Sequence, residues 1–139
     1  MEHSVRTIKK LSLKHRRQLL ELFAAADFAD LADGMEWLDG AVAGSLVAVG
    51  AFDQNDDLIG FARALGDGVS DCYIQDVTVH PVCRKQGIGK ELVEFLLAEL
   101  AEKEIDWVGL IATPGKADFY RKLGFEAMQD HTPMRLKKI

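Results

Sequence analysis

One segment constrains this chain more than any other: the basic, glycine-rich stretch 84–90, which reads Arg-Lys-Gln-Gly-Ile-Gly-Lys. It follows a predicted strand, 72–79, that Pro81 ends, and it opens a predicted helix whose apolar residues recur at four-residue steps. Glycine allows unusual backbone dihedrals and the close approach of a ligand. The first turn of a helix presents N–H groups without intrahelical partners. With three cations and no acid, the stretch predicts an anion site that suits a pyrophosphate.

Two common phosphate-binding motifs are excluded by the residues around this stretch. A Walker A loop needs a glycine five residues before its Gly-Lys pair and a serine or threonine after it, whereas Arg84 and Glu91 occupy those positions. A dinucleotide-binding fingerprint needs a third glycine where this chain has Leu92. The anion site is therefore of another kind.

The segment 84–89, Arg-x-x-Gly-x-Gly after a strand, resembles the signature of the GNAT family of N-acetyltransferases. A second element of that family, Tyr-x-x-x-Gly-Phe, is matched by 120–125, and a helix and a strand separate the two as the family requires. The resemblance covers 45–139 well, and 1–44 fit in pattern only. It implies one domain over 1–139 with an α/β (α+β) fold. That fold is a mixed, mostly antiparallel central sheet flanked by helices, in the order β-α-α-β-β-β-α-β-α-β-β.

The same resemblance implies how acetyl-CoA would be bound as co-substrate, with no metal. Backbone groups of Val77 and Val79 would pair with the pantetheine arm, and the turn that follows would hold the pyrophosphate. Phe119 would pack near the thioester. The residues implied to contact acetyl-CoA are Val77, Thr78, Val79, Arg84, Lys85, Gln86, Gly87, Ile88, Gly89, Lys90, Lys116 and Phe119. Tyr120 would donate a proton to the departing thiolate, and the amine would attack the acetyl carbonyl directly.

A base is also required, because an alkylammonium with a pKa near ~10 must lose a proton before it attacks. Asp76 is the acid nearest to the presumed splayed end of the strand 72–79, and it is the predicted base. Asp71 is the weaker choice, and a water chain to another acid remains open. The resemblance implies that the acceptor is a primary amine, which could belong to a small molecule, a protein N-terminus or a lysine. The stretch 27–43, with five acids, is compatible with a cationic small amine or with a solvated acidic face.

The remaining elements follow from periodicity and turn residues. We expect a first strand near Val5 and Ile8, and a second helix that starts at an Asp33–Glu36 capping box. The other predicted helices are 15–26 and 116–123, and the other predicted strands are 45–52, 58–65, 107–112, 125–128 and 134–138. Trp37 is assigned either to the core or to the acceptor pocket.

Composition excludes several classes of protein. The net charge of -5 makes the chain a poor nucleic-acid binder, and no apolar run reaches the ~20 residues of a membrane span. The two cysteines lack CxxC spacing, and the polar start lacks a signal-peptide core, so we expect a cytoplasmic protein. A homodimer is expected only by analogy with the fold. A non-catalytic acetyl-CoA-binding sensor or interaction module is the alternative to an enzyme.

Overall fold

The computed structural model describes residues 2–137 and has the predicted mixed sheet. The strands are β1 His3–Thr7, β2 Val47–Asp53, β3 Leu58–Gly66, β4 Asp71–Val79 and β5 Trp107–Gly109. The helices are α1 Leu13–Ala25, α2 Trp37–Ala43, α3 Ile88–Glu102 and α4 Ala117–Arg121, with short 3-10 turns at Leu31–Asp33 and Pro81–Cys83. The strands lie in chain order, antiparallel except for the parallel pair of β4 and β5. The predicted mixed, mostly antiparallel fold is confirmed.

The β2–β3 hairpin closes on its acidic turn. The Asp53 carboxylate accepts the backbone N–H groups of Asn55 and Asp57 at 2.9 and 3.0 Å. This arrangement is the local Asx turn that favours aspartate at such positions. The turn brings two nearly all-buried strands side by side, and they form the centre of the sheet.

Helices α1 and α3 cover opposite faces of the sheet. A Cβ at Gly60 would meet Leu92 and Ile88 of α3, whereas the ring of the next residue, Phe61, lies 5.6 Å from that of Phe23 in α1. Successive residues of a strand point to opposite faces, so the two helices lie on different sides. The predicted apolar stripe of α3 is buried, as Ile88, Leu92, Val93, Leu96 and Leu100.

The described chain forms two compact units, one ending at Gly109 and one beginning at Leu110. The second unit holds α4 and, within residues 110–137, no strand. The predicted strands over 125–128 and 134–138 are therefore not seen in the described residues, and Lys138 lies outside them. A strand needs a partner backbone for its hydrogen bonds, and these segments pair with no strand there.

The predicted helix start at Asp33 is wrong. Asp30 and Asp33 form a reciprocal capping box on the 3-10 turn, and α2 begins only at Trp37. Asp33 therefore belongs to the capping box of a short 3-10 turn and does not begin the predicted helix. Among the described residues, no helix is long and apolar enough to cross a membrane.

Candidate functional site

Strand β4 contains a bulge at its centre. Phe61 pairs with Thr78 and Arg63 pairs with Gln75, so two β4 residues, Asp76 and Val77, lie opposite one residue of β3. Asp76 has φ +60°, in the left-handed region that aspartate tolerates better than most residues. Such bulges interrupt the ladder and redirect the strand, and they are over-represented beside active sites.

Arg63 fixes the bulge to the helix above it. Its Nε donates to Oδ2 of Asp76 at 2.7 Å, and its Nη1 donates to the carbonyl oxygen of Ala41 in α2 at 3.1 Å. Both charged side chains are mostly buried, with 15% and 20% of their surfaces exposed. The predicted base thus lies at the bulge, where its carboxylate is held by an ion pair; its role in catalysis stays a prediction.

Beyond the bulge, β4 presents backbone groups along an edge that no strand of its unit covers. The His80 N–H donates to the Ile59 carbonyl at 2.7 Å. Because backbone groups alternate in direction along a strand, the N–H and carbonyl of Thr78 face β3, whereas those of Val77 and Val79 face away from it. Strand β5 pairs only with Asp71–Tyr73. The Val79 carbonyl accepts the Nε–H of Arg84 at 3.3 Å, which shows that this carbonyl faces outward. The pairing of Val77 and Val79 with the pantetheine arm stays a prediction.

The stretch between β4 and α3 forms a tight turn with two left-handed residues. Lys85 has φ +65° and Gly87 has φ +81°, and Gly87 is the N-cap of α3 without any side-chain cap. The first helical bond joins the Glu91 N–H to the Gly87 carbonyl at 3.0 Å, so the N–H groups of the residues before Glu91 have no intrahelical acceptor. The cationic side chains of Arg84, Lys85 and Lys90 are exposed around them.

Cys83 and His80, which also lie between β4 and α3, have structural roles. His80 Nδ1 accepts the Val82 N–H at 3.1 Å and caps the 3-10 turn, as expected of a turn histidine. Burial raises the pKa of the thiols of both Cys72 and Cys83. A buried, protonated thiol is a poor nucleophile. Within residues 2–137 no group of three or more His, Cys, Asp or Glu side chains could hold a metal ion.

The second unit presents an aromatic group on and beside α4. The Tyr120 ring lies 4.9 Å from that of Phe119 and 5.8 Å from that of Phe125, and both contacts are edge to face. Burial raises the pKa of the Tyr120 phenol, so it is protonated at neutral pH. Lys116 is the N-cap residue of this helix, and Gly124 follows it with φ +101°.

Sequence reasoning missed two features of this site. The bulge is set by the register between β3 and β4, which no local pattern records. Arg63 did leave a signal, because it is a charge between two alanines in an otherwise apolar strand. A charge in such a place requires a partner, and the partner is Asp76.

The family model of the acetyltransferase (GNAT) domain matches residues 44–127 of this chain. An N-acetyltransferase of the ycf52-like type from Prochlorococcus marinus is 42% identical over 88 residues, which are 61% of this chain and 49% of that protein. The matched stretch thus spans about half the length of that curated relative. The structure of an acetyltransferase of the GNAT family from Streptococcus pneumoniae TIGR4 superposes with a TM-score of 0.80 and 29% identity. That superposition covers 99% of this chain and 98% of the other.

Proposed function

The chain belongs to the GNAT family of acetyltransferases, and on this premise we propose that it transfers the acetyl group of acetyl-CoA to a primary amine of a small molecule. The observation that carries the proposal is the continuity of two features. The outward-facing edge of β4 leads directly into the left-handed turn at Lys85 and Gly87 and then into the first turn of α3.

Each feature suits one part of acetyl-CoA. The open edge at Val77 and Val79 suits the two amides of the pantetheine arm, which can pair with a strand edge as a peptide does. The uncapped N–H groups at Gly87–Lys90 suit the pyrophosphate, with the dipole of the 15-residue helix α3 behind them. The exposed side chains of Arg84, Lys85 and Lys90 add positive charge.

The proposed chemistry is a direct transfer. The amine nitrogen attacks the acetyl carbonyl carbon, the carbon–sulfur bond breaks, and the nitrogen loses a proton to a base. We assign Tyr120, from the resemblance to the family, as the acid that protonates the departing thiolate. We assign Asp76 as the base because it is the acid nearest to the presumed splayed end of the strand. The raised pKa values of the two thiols favour this course over an acyl-cysteine intermediate.

Ligand-induced stabilisation tests the first half of the proposal. Acetyl-CoA and CoA should raise the melting temperature in a concentration-dependent way, because a ligand that binds only the folded state stabilises it. ATP and NAD serve as controls, since they share the pyrophosphate but lack pantetheine. Equal shifts with all four compounds would reduce the site to a general anion site.

Turnover tests the second half. A panel of amines with thiol detection should reveal at least one acceptor that releases CoA faster than buffer does. Stabilisation by acetyl-CoA without any turnover would favour the alternative, a sensor that binds acetyl-CoA and transfers nothing.

A further inference from the structure

Arg63 is the one charged residue of β3, and it lies in the middle of that strand. Ala62 and Ala64 beside it are completely buried, and only 15% of the Arg63 side chain is exposed. Placing a charge there costs desolvation, and apolar residues of similar volume often stabilise a core at least as well as a buried ion pair does. Stability alone therefore does not account for an ion pair at this position.

The guanidinium of Arg63 is held at two points. Its Nε donates to Oδ2 of Asp76 at 2.7 Å, and its Nη1 donates to the Ala41 carbonyl at 3.1 Å. A guanidinium is planar and rigid, so its N–H groups point in fixed directions. The bond to Ala41 therefore also fixes the direction from which Nε approaches the Asp76 carboxylate.

The two carboxylate oxygens of Asp76 differ in their surroundings. Oδ2 is taken by Arg63, whereas no donor within residues 2–137 forms a hydrogen bond with Oδ1. Every fully buried side-chain oxygen of the described residues has a hydrogen-bond partner, so Oδ1, which has none among them, is in contact with solvent. One oxygen is thus anchored, and the other is open to accept a proton.

The orientation of this carboxylate has to come from a side chain. Asp76 and Val77 lie opposite a single residue of β3, and the extra residue of such a bulge disrupts the ladder locally. A general base has to lie within about 2.6–3.2 Å of the group whose proton it takes, and a misplacement of about 1 Å can cost about a hundredfold in rate. The anchor on Oδ2 supplies the precision that the interrupted ladder does not.

We propose that Arg63 is a positioning residue of the transfer reaction: it anchors Oδ2 of Asp76, so that Oδ1 faces the attacking amine. The inference rests on the proposed function and adds a residue to it. As the nitrogen bonds to the acetyl carbon, it loses one proton to Oδ1, and the carboxylate becomes a neutral carboxylic acid that later returns the proton to water. Arg63 keeps its charge throughout, because a guanidinium does not deprotonate in proteins, so its role is limited to orientation.

Steady-state kinetics with an acceptor from the amine panel tests this role. Arg63→Gln should lower kcat by about ten- to a hundredfold, because the base is present but no longer oriented. The KM for acetyl-CoA should change by less than about twofold, because Arg63 lies on β3 and the edge of β4 proposed to bind the coenzyme faces away from that strand. In the Asp76→Asn background, the same substitution should lower kcat by less than about twofold, because no base remains to be positioned.

Arg16→Gln is the matched control, since Arg16 also holds α2. Its Nη2 lies 2.9 Å from Oδ2 of Asp39, and within the described chain it forms no ion pair with Asp76. Arg63 still holds Ala41 in this variant, so kcat should change by less than about twofold.

Arg63→Lys is a second variant, because it keeps a cation beside the buried carboxylate and so protects the fold. A single ammonium cannot reproduce two donors in fixed directions, so kcat should still fall by about fivefold or more.

A spectroscopic measurement detects the pair without turnover. In 1H–15N spectra of the arginine side chains, the Arg63 Nε–H is assigned by its loss in Arg63→Gln. It should exchange slowly with water in the parent, because it is bonded and mostly buried. Its resonance should shift in Asp76→Asn but not in Asp39→Asn, which removes the acceptor of the Arg16 Nε–H instead.

The outcomes separate this inference from the proposed function. Turnover by the parent together with an unchanged kcat in Arg63→Gln, or with equal losses in Arg63→Gln and Arg16→Gln, overturns the positioning role alone. A loss that multiplies with that of Asp76→Asn also overturns it, because Arg63 would then act on something other than the base. An Arg63 Nε–H that is unaffected by Asp76→Asn overturns it whether or not any amine reacts. Binding of acetyl-CoA without turnover of any amine overturns the proposed transfer, and the positioning role falls with it.

Discussion

Replacing Gly87 by alanine separates the conformational role of this glycine from its role in ligand binding. Alanine in the left-handed conformation costs roughly 1–2 kcal/mol, and φ at Gly87 is +81°. Part of that cost is offset because alanine also restricts the unfolded chain, by about 0.4–1 kcal/mol. We expect a net loss of about 1 kcal/mol in the free energy of unfolding. For 139 residues the melting entropy is about 0.3 kcal/mol/K, so the melting temperature should fall by about 3 °C.

The effect on acetyl-CoA binding should be larger than the effect on folding. Apart from the two chain neighbours of Gly87, no heavy atom of the described residues lies within 4 Å of the position that a Cβ there would take, so the added methyl stands in the open space where the ligand is proposed to bind. We expect the Kd to rise by about tenfold or more. At a concentration of 100 times the parent Kd, acetyl-CoA stabilises the parent by about 2.7 kcal/mol and the variant by about 1.4 kcal/mol. The ligand-induced rise in melting temperature should thus fall from about 9 to about 5 °C.

Gly68→Ala is the matched control for this measurement. Gly68 lies in the β3–β4 turn with φ +79°, and its added Cβ would meet Leu46 at 3.5 Å, an ordinary contact. Both variants should lose similar stability without ligand in differential scanning calorimetry, and only Gly87→Ala should lose part of the acetyl-CoA shift. Equal acetyl-CoA shifts in Gly87→Ala and the parent would refute the reasoning, because the turn would then not approach the ligand.

Three further changes have distinct expected results. Tyr120→Phe should lower turnover by roughly ten- to a thousandfold at saturating acetyl-CoA and leave the acetyl-CoA-induced rise in melting temperature unchanged. Because burial raises the pKa of Tyr120, deprotonation of the phenol should lower the activity of the parent only above about pH 10. Asp76→Asn should lower turnover most near neutral pH, and turnover should recover in part as the pH rises and the amine deprotonates unaided. A pH–rate profile like the parent's would count against Asp76 as the base. Asp67 accepts the N–H groups of Val69 and Ser70, and these bonds hold its pKa below the ordinary value. That stabilisation is present above pH ~4 and is lost as the pH falls, so urea denaturation of Asp67→Asn should show a weaker loss of stability in acid than the parent shows.

The parts of this fold that were predictable from sequence have local causes. The stripe of α3 follows from apolar residues at four-residue steps, and Ile88, Leu92, Leu96 and Leu100 are indeed buried. The glycine-rich pattern at the start of the helix predicted unusual backbone dihedrals there, and Gly87 is the left-handed N-cap. In each case a few adjacent residues determine the backbone, so no distant contact is needed to infer it.

The parts that were not predictable include two local backbone conformations and one packing contact between residues far apart in the chain. Asp33 and Glu36 have the spacing of a capping box, yet the Asp33 carboxylate accepts the backbone N–H of Asp30, the N-cap of a 3-10 turn that precedes α2. The left-handed Lys85 has no sequence signal, because lysine rarely adopts φ +65°. Phe28 and Trp37 are nine positions apart in the chain, and the rings of both pack on Phe23.

The ion pair of Arg63 and Asp76 links the bulge of β4 to helix α2. The extra residue of the bulge requires a left-handed conformation, which aspartate tolerates, and the guanidinium then fixes the carboxylate at 2.7 Å. The same guanidinium holds the carbonyl of Ala41, in the helix that carries Trp37. A buried charge left without its partner is costly, so the bulge and α2 are positioned together rather than separately. Any change that moves α2 therefore acts also on the orientation of Asp76, because Arg63 supports both the helix and the predicted base.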